Sequence, residues 1–316
     1  MTGVTRLSPI AFFVYSRPDH ARRSLEALRV NEMALHSDLF VFADGAKSER
    51  DHAGVAAVRE FIRTIDGFRS VTLIERDCNL GLSRSVIEGV TRLCDEYGRA
   101  IAVEDDVITS PDFLPFMNDA LERYENEPNA FSICAFTPPI VASGSYKYDA
   151  FWSYRFACWG WGTWRDRWER ADWLVRDYPE FAADRRKQMR FNRGGEDLSW
   201  FLSLHMEGRI DSWDTIWAYT HHKHDAMALL PVISKAYNIG FDGSGTHCRR
   251  ASFKQHSLTT VGDAKYRLPE AGDAHPHFVS EIQRFHRPSL AARIARLVRR
   301  IAPRKKRFHV VAVPKN

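Results

Sequence analysis

Cysteine is scarce in this chain. Its 316 residues hold five, Cys78, Cys94, Cys134, Cys158 and Cys248, an odd and scattered set with no Cys-x-x-Cys pair. Such spacing supports neither a disulfide framework nor a zinc ribbon, so reduced, structural thiols are expected. Long apolar runs are missing as well. The first, Ile-Ala-Phe-Phe-Val-Tyr from Ile10, is far too short for a membrane span or the core of a secretory leader, and a cytoplasmic protein is expected. No unit recurs at a period of about 20 to 50 residues, which excludes solenoid and propeller arrays. Acidic residues vanish near the end. From Arg284 to Asn316 there is no Asp or Glu, so the positive excess behind the net charge of +5 belongs to the tail.

A content of 44% hydrophobic and 12% aromatic residues is enough to bury a large core, and the N-terminal third arranges it as an alternation. Ile10 to Val14 is a β-prone run; Pro18 suits a first helical turn behind it, with Leu25 and Leu28 at helical spacing. Leu39 to Ala43 is a second strand ending at Asp44-Gly45, and Val55, Val58, Ile62 and Ile65 then share a helix face. Val71 to Ile74 is a third strand. Asn-Leu-Gly-Leu-Ser-Arg-Ser leads from it into a helix capped by Ser83 and closed by Gly98, with Val86, Val90, Leu93 and Tyr97 on one face. Ala100 to Val103 is the fourth strand. This alternation implies a Rossmann-like α/β protein with a mainly parallel, doubly wound sheet. Ligands of such sheets bind beyond the carboxyl ends of the strands.

The unusual polar residues fall at those ends: Ser16 and Arg17 after the first strand, Asp44 and Gly45 after the second, Asn79 and Gly81 after the third, and Glu104, Asp105 and Asp106 after the fourth. They should converge on one cleft. Three adjacent carboxylates repel one another, so placing them at the end of a buried strand needs a cation or a chemical role to offset the cost. A Gly-rich turn that opens a helix offers free N–H groups and the helix dipole to a phosphate. Asn-Leu-Gly-Leu is, however, neither a Walker loop nor a dinucleotide fingerprint.

The run Ala-Val-Glu-Asp-Asp-Val-Ile-Thr-Ser-Pro-Asp-Phe-Leu-Pro-Phe-Met, with Asn-Leu-Gly-Leu-Ser-Arg-Ser-Val and Phe-Ala-Asp-Gly ahead of it, resembles nucleotide-sugar-dependent glycosyltransferases of the GT-A fold. The acidic triplet looks like their Asp-x-Asp signature. Its Glu-Asp-Asp form is similar to N-acetylglucosaminyltransferase I and bacterial family-2-type relatives, which are inverting enzymes. The resemblance runs from about Ile10 to Cys248. It implies a donor-binding half over residues 1–135 and an acceptor-binding, catalytic half of the same domain over 136–280, leaving a basic tail over 281–316. It implies Asp106 as direct ligand of a divalent metal, Mn2+ or Mg2+, while Glu104 and Asp105 contact ribose, donor sugar or metal-bound water. Ser16, Arg17, Asp44, Asn79, Gly81 and Arg84 would line the nucleotide-sugar site, and a late histidine, His247, would complete the metal site. A divalent ion offsets the charge that grows on a diphosphate leaving group as the glycosidic bond breaks. A mixed carboxylate and imidazole shell suits manganese somewhat better than magnesium.

An inverting transfer also needs a base on the acceptor side. Gly-Arg-Ile-Asp-Ser-Trp-Asp-Thr-Ile-Trp offers Asp211 and Asp214 beside Trp213 and Trp217, and a carboxylate flanked by indoles is partly desolvated and better able to accept a proton. Asp214 is preferred, since it resembles the Trp-Asp base position of N-acetylglucosaminyltransferase I. Glu196 and Asp197, an acidic pair opening a helix, are rivals. Trp159, Trp161, Trp164 and Trp168 crowd one Gly-containing stretch; an acceptor platform is read for Trp159 and Trp161, with about half of the four indoles expected in the core. His221 and His224 lack an evident third ligand and are read as structural.

In the tail, Leu290, Ile294, Leu297 and Ile301 form one helical stripe among arginines, the pattern of a cationic interfacial helix for an anionic membrane surface, with a solvated tail as the alternative. No nucleic-acid motif accompanies it, so nucleic acid is not an expected partner. The expected function is metal-dependent, inverting transfer of a sugar from a nucleoside-diphosphate donor, a UDP-sugar, to a hydroxyl of a saccharide or lipid-linked acceptor in surface polysaccharide or lipooligosaccharide synthesis. Attachment at the inner face of a membrane would then be peripheral. The alternative is a non-catalytic nucleotide- or carbohydrate-binding protein on a GT-A scaffold.

Overall fold

The structure is a computed structural model that describes residues 7–243, 255, 258 and 265–290. His247, Cys248 and the tail beyond Leu290 lie outside the described residues.

Four βα units build the first half in the expected order. They are β1 (Ile10–Val14), α1 (Pro18–Arg29), β2 (Asp38–Ala43), α2 (His52–Ile62), β3 (Ser70–Glu75), α3 (Leu82–Tyr97) and β4 (Arg99–Glu104), followed by the short β5 (Val107–Thr109) and α4 (Phe113–Arg123). The chain continues through β6 (Ala130–Cys134), β7 (Ala150–Ser153), β8 (Trp161–Trp164), α5 (Arg165–Trp168), α6 (Tyr178–Ala183), α7 (Arg185–Phe191), α8 (Leu198–Met206) and α9 (Trp213–Lys223). It closes with β9 (Met227–Pro231), β10 (Ala236–Asn238) and α10 (Pro276–Phe285).

One eight-stranded sheet, ordered β3-β2-β1-β4-β8-β6-β9-β7, runs through both halves of the chain. β1 pairs in parallel with both β2 and β4, and β9 in parallel with β6, whereas β8 and β7 run against their neighbours. The sheet is therefore mainly parallel but mixed. Alternation along each strand divides the core. Ile10, Phe12, Val14, Ile101 and Val103 face α1, α2 and α4, while Ala11, Phe13, Ala100 and Ala102 face α3 and α9. Both faces are covered, so the central strands are apolar on both sides, as buried parallel strands must be.

Two local expectations are corrected. Ile65 lies beyond α2, which ends at Ile62, although it still packs on the core. Helix α3 is capped not by Ser83, which sits buried inside the first turn, but by Gly81 at φ 80°. The Asp44 carboxylate receives the Leu80 and Gly81 N–H groups from a neighbouring strand end, so the turn needs no cap of its own.

The α9 side of the core is aromatic, and a histidine is sealed within it. His221 is 1% exposed, ringed by Phe131, Phe156 and Trp217. Its Nε2 lies 3.1 Å from Ser132 Oγ, which also receives the Trp217 indole N–H at 2.9 Å. Burial, helped by nearby His224, pushes His221 down to about 3. A neutral imidazole is thus required for folding. The unfolded chain binds this proton from about pH 6.5 downward and the folded protein only near 3, so stability is full above the unfolded value and is lost as pH falls through that window. Between pH 7 and 5 this one group removes about 2 kcal/mol. Urea unfolding at the two pH values should therefore show a shallower loss in His221→Gln than in the wild type by about that amount, and equal losses would disprove the assignment.

Candidate active site

The strand order reverses between β1 and β4. From β1 the chain winds outward through β2 and β3, then returns to β4 on the other side. A crevice opens at such a switch point, outside the carboxyl ends of the two strands, and here those ends lead into Ser16-Arg17 and Glu104-Asp105-Asp106.

The two sets meet. Arg17 Nη2 donates to Asp105 Oδ1 and, at 2.9 Å, to Asp106 Oδ2, so one guanidinium nitrogen bridges two carboxylates. Its Nη1 is buried with no hydrogen-bond partner among the described residues. Burial opposes the Arg17 charge, but Asp105 and Asp106 outweigh it and raise its pKa. Burial likewise pushes the Asp105 carboxyl up to about 6, with Arg17 opposing and Asp106 adding. Glu104 is raised well above the usual carboxylate range, first by burial and then by Asp106, Asp105 and Asp214. A desolvated acidic cluster with one internal cation holds more negative charge than it neutralises.

A two-stranded antiparallel ribbon forms a strap beside Asp106. β10 pairs antiparallel with β5, Asn238 Nδ2 donates to Asp106 Oδ1 at 3.2 Å, and the Ile239 N–H reaches the Asp106 carbonyl at 2.8 Å. At Gly240 a Cβ would lie 2.3 Å from Asp106 Oδ2, so only glycine lets the strap come this close. Its base is fixed by Lys235, whose Nζ meets Asp112 Oδ2 at 2.6 Å with both side chains buried. Tyr266 donates to the same carboxylate at 3.0 Å. On α1, His20 lies 3.2 Å from Asp242 in the turn that follows β10.

At the end of β2, Asp44 shapes the turn that opens α3. Asp44 receives the N–H groups of Gly45, Leu80 and Gly81 and the Asn79 amide, at 2.8 to 3.0 Å. Both of its oxygens are spent on shaping the turn into α3. Ser16 lies under α2, where its carbonyl oxygen would be 2.4 Å from a Cβ at Gly54. Arg84 stands half exposed on α3 and pairs with Glu88 at 2.6 Å.

Asp214 lies in the first turn of α9. Ser212 Oγ donates to Asp214 Oδ1 at 2.5 Å and lies 2.8 Å from Thr215 Oγ1. Asp214 acts electrostatically on Glu104 and on Cys158, whose thiol is raised by burial and then by Asp214 and Glu104. Asp214 and the acidic triplet are therefore near enough to interact electrostatically. Asp211 is exposed and, with Asp214, acts electrostatically on His205. Asp197 is committed elsewhere: Arg155 holds both of its oxygens, at 2.8 and 3.0 Å, and this outweighs burial to keep it ionised. Glu196 lies 3.8 Å from Arg287.

The aromatic platform is corrected in part. Trp161 is 1% exposed and packs against Phe156, Trp168 and Trp213 inside the core, so it cannot present a face to a sugar. It belongs to β8, between β4 and β6, where both sheet faces are covered. Trp164 and Trp168 are buried too. Trp159 is half-buried, against Phe136 and against Phe241 of the strap.

No protein-family model matches the sequence, and no curated protein does. Among solved structures the fold is similar to a crystal structure of S. aureus TarS, with a TM-score of 0.41 and 7% identity over 75% of this chain and 37% of that one. It is similar to S. aureus TarS 1–349 with a TM-score of 0.38 and 7% identity, over 75% of this chain and 61% of that one. The chain thus spans less than two thirds of either.

Sequence reasoning missed several partners in this cleft: Asn238, Ser212, His205 and Cys158. Each acts through a neighbour distant in sequence or through one hydroxyl in a turn. Only the Ser-x-Asp spacing of Ser212 and Asp214 left a local signal.

Among the described residues no set of three or more His, Cys, Asp and Glu side chains is placed to hold a metal ion. Two carboxylates nevertheless converge on one point, now taken by the Arg17 nitrogen. One or two carboxylates, with phosphate oxygens completing the shell, is the donor set by which Mg2+ or Mn2+ is held beside a diphosphate. The residues present fit such an ion.

Proposed function

We propose that this chain is an inverting glycosyltransferase of the GT-A type, using a nucleoside-diphosphate sugar, a UDP-sugar, and a divalent metal. The observation that carries the reading is the carboxylate pair that converges on one cation at the switch point, with Asp214 near enough to act electrostatically on Glu104 beside it. Asp105 and Asp106 would hold the metal, which supplies charge neutralisation to the departing diphosphate. Arg17, with its unpartnered Nη1, adds a cation for the phosphates.

Asp214 takes the proton of the acceptor hydroxyl as that oxygen attacks the anomeric carbon. The bond from that carbon to the phosphate oxygen breaks, and the nucleoside diphosphate leaves with the electron pair. Attack from the face opposite the leaving group inverts the anomeric centre. Trp159 at the strap offers a ring face to the sugar. The acceptor is a saccharide or lipid-linked hydroxyl, and the basic tail beyond Leu290 is the segment suited to bring the enzyme to an anionic surface.

The test incubates the full chain with UDP-glucose, UDP-galactose and UDP-N-acetylglucosamine in Mn2+ and measures released UDP. Turnover of at least one, abolished by chelator, is expected. Mn2+-dependent binding with no release from any donor would favour a non-catalytic binder.

A further inference from the structure

The start of α9 holds an anomaly. Ser212 stands in the N-cap position, where a serine hydroxyl ordinarily accepts a backbone N–H of the first turn, yet here it makes no such bond. It donates instead to the Asp214 carboxylate two residues on. The Ser212 backbone is itself held, since its N–H donates to His205 Nδ1 at 3.2 Å. That bond places the proton of the neutral ring on Nε2, and burial keeps the ring neutral against Asp211 and Asp214.

We infer that Ser212 is a positioning residue that fixes Oδ1 of Asp214, leaving Oδ2 to take the acceptor proton, and that His205 of α8 anchors the turn. This rests on the reading of Asp214 as base. A carboxylate that can rotate offers its proton-accepting lone pair in the right direction for only part of the time, whereas one fixed by a hydroxyl is preorganised. A donor to the charged form also favours that form. The other groups that interact electrostatically with Asp214 are Glu104 at the end of β4, Cys158 before β8, and His205, on which Asp211 also acts.

Ser212→Ala and Ser212→Gly remove the hydroxyl. Because that hydroxyl does no capping, and because glycine at an N-cap costs only a few tenths of a kcal/mol, both variants should keep the wild-type circular dichroism and melting behaviour. Each should lower kcat for UDP release roughly tenfold with KM for the UDP-sugar within about twofold. The acidic limb of the kcat–pH profile should move up by about half a unit or more. Ser212→Thr, which retains the hydroxyl, should restore both. A merely structural residue would lower the melting temperature without moving the limb.

A second readout is independent of turnover. In protein with 13C-labelled aspartate carboxyls, the resonance lost in Asp214→Asn should titrate at higher pH in Ser212→Ala. An unmoved titration in both variants overturns the role of Ser212. If Ser212→Ala shifts that resonance while Asp214→Asn turns over at the wild-type rate, the positioning contact stands and it is the base assignment that falls.

Discussion

Asp214→Asn is expected to lower UDP release by roughly 100-fold or more while leaving donor affinity near its wild-type value. The amide keeps the size and polarity of the side chain and still accepts from Ser212, whose hydroxyl meets Oδ1 at 2.5 Å. It cannot take a proton. The effect therefore belongs to kcat, and calorimetric titration with UDP and Mn2+ should give an unchanged dissociation constant. The two rival carboxylates separate cleanly. Asp211→Asn changes an exposed group and should retain turnover. Asp197→Asn should fail in another way: Arg155 holds both Asp197 oxygens and is itself mostly buried. Weakening one partner of a buried pair costs stability rather than chemistry, so its melting temperature falls and the folded fraction turns over normally. Should Asp197→Asn melt like the wild type and lose turnover, the base is Asp197 and Asp214 is a bystander.

Asp106→Ala is expected to abolish turnover and the metal-dependent part of nucleotide binding together. In the protein Asp106 shares Arg17 with Asp105 and receives Asn238 from the strap, so its loss removes one of the two converging carboxylates and loosens the strap beside them. Each charge-assisted contact of this kind contributes about 1.5 to 3 kcal/mol. Asp106→Asn keeps the shape and separates the two effects: strap and fold should be preserved while Mn2+ no longer strengthens UDP binding. Full turnover in the presence of chelator would contradict this account, and the carboxylate pair would then be a counter-ion for Arg17 alone.

Much of the fold was legible in local pattern. The four apolar runs at Ile10, Leu39, Val71 and Ala100 became β1 to β4 within a residue or two of their read bounds, because burial on both sheet faces demands uninterrupted apolar residues in the central β1, β2 and β4, while β3 is a half-buried edge strand. Pro18 opens α1 and Gly98 closes α3 in the left-handed conformation, each from an intrinsic backbone preference. Ser83 misled because a serine ahead of an apolar run signals a cap only when no other group reaches the turn first. Asp44, on a different strand, reaches it.

The acidic triplet could be read from three adjacent letters, since repulsion between neighbouring carboxylates is a property of the chain itself. What answers that repulsion could not. Arg17 lies 88 residues from Asp105, and Asn238, which the strap brings to Asp106, lies 132 residues from it. The composition of the tryptophan-rich stretch likewise showed that large aromatic surface is concentrated there, but not which side it takes. β8 enters the sheet between β4 and β6, and that placement buries Trp161 and leaves Trp159 at the strap. Sequence alone thus determined the parallel strands, their helices and the acidic turn, all governed by neighbours within about a dozen positions. Only the tertiary structure decided which cation meets the carboxylates, which oxygens are already spent, and which acid faces the cleft, because those depend on side chains that the crossover connections bring together from distant parts of the chain.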